Sequence, residues 1–101
     1  MRVIVIFDLP VETAENRRCY TRFRKMLIKS GFVMIQKSVY CRMALNQNVA
    51  ESIINNVRSN KPPQGLVQMI TITEKQFSKM ELISGEYVTD VVSDDRRLLI
   101  L

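Results

Sequence analysis

The sequence predicts a single α+β domain over residues 1–101, with elements in the order β-α-β-β-α-β. Three features carry that expectation. Residues 3–7 form a short β-branched run, and Tyr20, Phe23 and Leu27 recur at helical spacing. A Lys61-Pro62-Pro63-Gln64-Gly65 loop separates a second amphipathic segment from a late apolar strand.

The first strand ends at Asp8-Leu9-Pro10, because Pro10 cannot donate to a ladder. Thr13 offers an N-cap with Glu15 in the first turn, and the helix runs to about Ser30 before Gly31, a C′ residue. Its apolar line passes through Cys19/Tyr20, Phe23 and Met26/Leu27. Residues 32–35 and 39–45 read as strands joined tightly at Gln36-Lys37-Ser38. Asn48 to Glu51 resembles a capping box, opening a second helix with Val49, Ile53 and Val57 on one face. Residues 66–72 are a fourth strand, and Thr73 with Gln76 caps a short helical turn reaching Met80. Residues 81–84 and 87–92 are candidate short strands, followed by an apolar tail at 97–101.

This order is the ferredoxin-like layout, with residues 1–80 as core and 81–101 as an extension carrying an additional C-terminal strand. Val3, Val5 and Phe7 alternate with Ile4 and Ile6, so the first strand is apolar on both faces. A sheet open to water alternates apolar with polar, so the second face is expected to be covered. The simplest cover is a second copy, giving a sheet-to-sheet C₂ homodimer. The extension would pair with its own sheet edge or the partner's.

The net charge of +5 is uneven: residues 1–45 carry +6 and residues 46–101 carry −1. Arg18, Arg22, Lys25 and Lys29 fall on one side of the first helix, flanked by Arg17 and Arg24, with only Glu15 as counter-charge. A solvated helix face normally mixes signs to gain i,i+4 pairs, whereas this one accumulates repulsion that a phosphate backbone would relieve. The same stripe, left solvated, is the plainer alternative. Lys37 in the β-β turn and Arg42 on the strand after it extend the candidate nucleic-acid surface, and Ser38 beside them reads as a turn serine.

Asp8 is the carboxylate that directly follows the first strand. Before Leu-Pro it suits a turn former, whereas two copies brought together by a two-fold axis would hold Mg²⁺. The sequence has no histidine, which excludes His-based acid–base catalysis and His metal sites. It has no P-loop and no GxGxxG. No aromatic-glycine pattern marks the strands as a stacking platform, so recognition of a duplex backbone is favoured over single-strand reading. Cys19 and Cys41 match no metal or redox spacing and read as reduced thiols. The opening apolar run stops at Asp8, too short for a signal peptide or membrane span, so a cytoplasmic protein without membrane contact is expected.

Phe7-Asp8-Leu9-Pro10, Arg17-Arg18, and Gly31-Phe32 followed by Gln36-Lys37-Ser38-Val39-Tyr40 together resemble the CRISPR-associated protein two family. This is the small subunit of the spacer-acquisition machinery, and the chain looks most like members accompanying type II-A systems. Thr73 to Phe77 and Ser93 to Arg96 extend the resemblance along the chain. It implies a homodimer that bridges dimers of the integrase subunit and supports a prespacer DNA duplex. Arg17, Arg18, Arg22 and Lys25 would contact the backbone, and Asp8 would bind a divalent metal between protomers. As the alternative it implies a Mg²⁺-dependent endonuclease in which Asp8 is the catalytic residue, although a lone carboxylate as general base favours the scaffold. Scaffold and nuclease remain the competing expectations, beside a dimeric metabolic regulator with no salt-sensitive DNA affinity.

Overall fold

The computed structural model describes residues 1–86. Its elements are β1 (Arg2–Asp8), α1 (Ala14–Lys29), β2 (Val33–Gln36), β3 (Val39–Met43), α2 (Gln47–Ser59), β4 (Leu66–Ile72) and α3 (Glu74–Ser78). The strands form one antiparallel sheet in the order β2-β3-β1-β4, the arrangement the βαββαβ layout requires. β1 is central, with Ile4 opposite both Cys41 and Ile70, and Val5 opposite both Tyr40 and Met69.

Alternation along β1 sends Val3, Val5 and Phe7 under the helices, where they are buried with Phe23, Leu27, Tyr40, Ala50, Ile53 and Val57. The Phe7 ring is the hub of this layer. It meets Phe23 edge-on at 5.2 Å and Tyr20 at 6.0 Å, and stacks on Tyr40 at 5.7 Å between centroids.

The other face carries Ile4, Ile6 and Ile70, as the two-sided apolar pattern of β1 requires. Ile4 is buried, but Ile6 is 41% and Ile70 54% exposed. Residues 80–84 run along this face and border a groove with Ile4, Ile6, Ile35, Val39 and Ile70. They are not the strand expected at 81–84. They stand across that groove from the sheet face, exposed, and no ladder pairs their backbone with a strand. The strand expected at 87–92 and the tail at 97–101 lie outside the described residues.

The ends of the helices follow local chemistry. Thr13 Oγ1 accepts the Asn16 amide at 3.0 Å, as an N-cap does. At the other end of α1, Phe32 N–H donates to Leu27 O and Gly31 N–H to Ile28 O, both at 3.0 Å, a Schellman pair with Gly31 at φ +94°. Phe32 therefore closes the helix and β2 begins one residue later. Thr73 and Gln76 form the reciprocal capping box expected, although α3 ends at Ser78, short of Met80. The cap of α2 is Asn46, not Asn48: its Oδ1 accepts the Val49 amide at 2.9 Å, starting the helix before the expected box. β3 correspondingly ends at Met43, where the Ala44 amide turns to Met1 O at 2.7 Å. An Arg2–Glu74 pair (2.9 Å), with the Arg2 guanidinium 4.3 Å from the centre of the Phe77 ring, ties α3 to the start of β1.

Gly65 sits where the loop re-enters the sheet beside Asp8. At φ +98°, a Cβ there would stand 2.6 Å from Leu9 Cδ2 and 2.9 Å from the Asp8 carbonyl oxygen. Gly85 shares the positive φ (+93°) but has nothing within 4 Å. Gly65→Ala should therefore lower stability by about 2 kcal/mol or more, combining left-handed strain with backbone overlap. Gly85→Ala should cost only the strain, about 1 kcal/mol. Urea unfolding midpoints of the two variants check the ranking.

Candidate nucleic-acid interface

Burial of Phe23 and Leu27 fixes the rotation of α1 about its axis. The opposite side then presents Ala14, Arg17, Arg18, Thr21, Arg22 and Lys25 along one shallow, solvent-open groove. The structure thus brings together the four α1 cations of the expected interface. Arg24 and Lys29 are exposed on the same helix but do not line the groove.

The groove's cations differ in what holds them. Arg18 Nη2 pairs with Glu15 Oε1 at 2.5 Å, with both side chains more than half exposed, so the pair is weak and exchangeable. The Arg18 hydrogen bond, followed by its charge, holds the Glu15 carboxyl below the usual glutamate range. Arg17 Nη1 donates to the Val11 and Glu12 carbonyls at 3.1 and 3.3 Å, orienting it at the mouth of the loop before α1. Arg22 and Lys25 make no ion pair among the described residues.

The remaining expected cations are elsewhere. Arg42 Nη1 donates to the Ser30 carbonyl at the end of α1, and its side chain lies 3.4 Å from where a Gly31 Cβ would stand. It is half-buried and spends its charge on the negative end of the helix. Lys37 is exposed in the β2–β3 turn, whose Ser38 (φ +70°) offers its carbonyl to the Phe7 amide at 3.0 Å. That places Lys37 at the Asp8 end of the sheet, and it does not line the groove.

Asp8 is exposed at the end of β1, opposite Leu66 and on the same side of the sheet as Ile4 and Ile6. Its carboxylate accepts no hydrogen bond among the described residues, so it does not act there as the side-chain turn former that its place before Leu-Pro suggests. No group of three or more His, Cys, Asp or Glu side chains gathers among the described residues. Asp8 is thus part of no such group within the described chain. Both cysteines are free thiols. Burial pushes the Cys41 thiol up, partly offset by Arg2 Nη1 at 3.6 Å, leaving it an inert apolar filler of the sheet.

The structure settles which cation Glu15, the stripe's counter-charge, pairs with: Arg18, at i,i+3. One partnership lies beyond the sequence. The Arg2–Glu74–Phe77 cluster joins residues at opposite ends of the core, and nothing local in the chain marks it.

Among the described residues no helix is long and apolar enough to cross a membrane. Residues 1–80 match the family described as CRISPR associated protein Cas2. A Treponema denticola protein named CRISPR-associated endoribonuclease Cas2 is 56% identical over 101 residues, covering 100% of both chains. A Streptococcus mutans protein of the same name is 42% identical over 101 residues, covering 100% of this chain and 93% of its own. The crystal structure of Streptococcus pyogenes Cas2 at pH 6.5 superposes with a TM-score of 0.61 at 16% identity, covering 83% of this chain and 100% of that one, and so shares the fold. A match over the whole ferredoxin-like core, together with full-length relatives at these identities, places the chain in the Cas2 family.

Proposed function

We propose that this chain works as a homodimeric subunit of CRISPR adaptation, holding the phosphate backbone of duplex DNA along α1 of each protomer and bridging dimers of the integrase. The observation that carries the reading is the α1 groove, where Arg17, Arg18, Arg22 and Lys25 converge and one exposed glutamate is the counter-charge. Such a surface neutralises phosphates without reading bases. The exposed Ile6 and Ile70 on the sheet face opposite the helices support pairing with a second copy, which would present two such grooves about a two-fold axis.

Each phosphate that the protein no longer neutralises should lower the slope of log affinity against log salt by about 0.9. Arg18→Ala with Arg22→Ala should therefore weaken duplex binding and flatten the slope by roughly two, with sedimentation unchanged from wild type. An unchanged slope in a fluorescence-anisotropy salt titration contradicts the groove's role. Glu15→Gln removes Arg18's competitor and should tighten duplex binding by about two- to fivefold at low salt, the worth of one exposed ion pair.

A metal-dependent endonuclease is the second reading, favoured by the endoribonuclease name of the relatives and by the exposed, uncommitted Asp8 carboxylate. In it, Asp8 of two protomers would hold a divalent ion. That ion, when bound, polarises a phosphate and lowers the pKa of its water. Asp8→Ala should then abolish Mg²⁺-dependent cleavage of RNA or DNA while leaving duplex affinity intact. If purified wild type cleaves neither with Mg²⁺ present, the nuclease reading fails and the scaffold stands alone.

A further inference from the structure

The N-terminal half of α1 has a second concavity on its other flank. Pro10, Tyr20, Pro62 and Pro63 wall a crevice of about 110 Å³, with the Asn16 and Gln64 amides on its lining. Its lining is chiefly apolar, and it is far smaller than the ~300–1,000 Å³ of a drug-sized site, so it suits one flat ring. The Tyr20 hydroxyl and the Asn16 and Gln64 side-chain amides form no hydrogen bond among the described residues. Side-chain amides pair with base edges, and aromatic rings stack on base faces.

Position links this crevice to the cationic groove. Glu15 belongs to the crevice lining and turns towards the groove, one carboxylate oxygen on Arg18 and the other 3.8 Å from the thiol of Cys19, also a crevice residue. The two concavities are thus neighbouring faces of one helix, whose whole diameter is only ~10–12 Å. A strand with its phosphates on Arg18 and Arg22 would have the adjoining base within reach of the crevice.

We propose that the crevice takes one unpaired nucleobase of a strand whose phosphates lie in the α1 groove. Apolar walls would cover the base and the amides would meet its edge. The inference rests on the phosphate reading of the groove and adds a preference that a backbone-only surface lacks. Stacking platforms on the strands are missing from this sequence, and here helix and loop supply the equivalent. The unpaired base has two sources, a single-stranded overhang on a DNA duplex or a single-stranded RNA.

The test compares fluorescein-labelled DNA duplexes of equal charge whose overhangs are either normal or abasic at the unpaired positions, beside a blunt duplex. The full chain should bind the base-bearing overhang about fivefold or more tightly than the abasic one. Asn16→Ala combined with Gln64→Ala should shrink that ratio towards one without changing affinity for the blunt duplex. Tyr20→Phe, which keeps the ring against Phe7, should reduce it in part. The same normal-against-abasic comparison on single-stranded RNA identifies the source: a ratio above one with DNA, RNA or both supports the crevice and names its ligand. Equal binding of normal and abasic strands in both arms overturns it. If instead the Arg18→Ala, Arg22→Ala variant binds blunt duplex like wild type, the groove itself is wrong. The two failures are therefore separable.

Discussion

β1 has no polar face between Arg2 and Asp8, and the rest of the domain is arranged around that constraint. Its odd-numbered side chains demand a cover, which α1 and α2 provide, and Phe7 fixes where α1 sits by meeting Tyr20 and Phe23 edge-on. Once Phe23 and Leu27 are buried, the rotation of α1 is settled and its cations have one direction left, outward. The charged groove is thus a consequence of aromatic packing inside the sheet layer. The even-numbered side chains of β1 make the opposite demand. Among the described residues, 80–84 border this face, and Ile6 and Ile70 remain accessible. A face so apolar on a domain this small is costly to leave wet, at ~25 cal/mol for each Å² withheld from water on association.

Much of this was legible because it depends on local pattern. Thr13, Gly31 and the Thr73–Gln76 box are capping chemistry written in neighbouring residues, and β4 is bounded by Gly65 and Thr73, so those elements fall where the sequence puts them. The two-sided apolarity of β1 likewise shows through alternation alone. Errors came where two local signals competed. Asn46 and Asn48 both resemble caps, and the choice fell to Asn46 because Ala44 is drawn into the core and its amide turns to Met1. Residues 81–84 have strand-like composition, but a strand needs an edge to pair with, which composition does not supply.

The site was legible in part for the same reason. Arg18, Arg22 and Lys25 share a face because helical spacing dictates it. Arg42 is indistinguishable from them by residue type, yet it closes α1 through the Ser30 carbonyl, a contact that exists only after β3 and the helix end have been brought together. The crevice beside Tyr20 was invisible for a stronger version of this reason, since Pro62 and Pro63 reach α1 only through the return of β4 to the sheet. The sequence marks that loop as a turn and says nothing of what it turns against.

The placement of the cations along α1 also bears on why they are there. Lys29 in the last turn gains from the helix dipole, whereas Arg17 and Arg18 stand just past the first turn, nearer its positive end, where a cation has nothing to gain from it. Their partners are local: Glu15 faces Arg18, and the Val11 and Glu12 carbonyls receive Arg17. Both partnerships are exposed and weak. A phosphate arriving at this end of the helix would meet the Arg17 and Arg18 side chains and the positive end of the dipole together, where Glu15 now meets Arg18 and the dipole but leaves Arg17 to backbone carbonyls. Charge so loosely compensated is poised for an external anion.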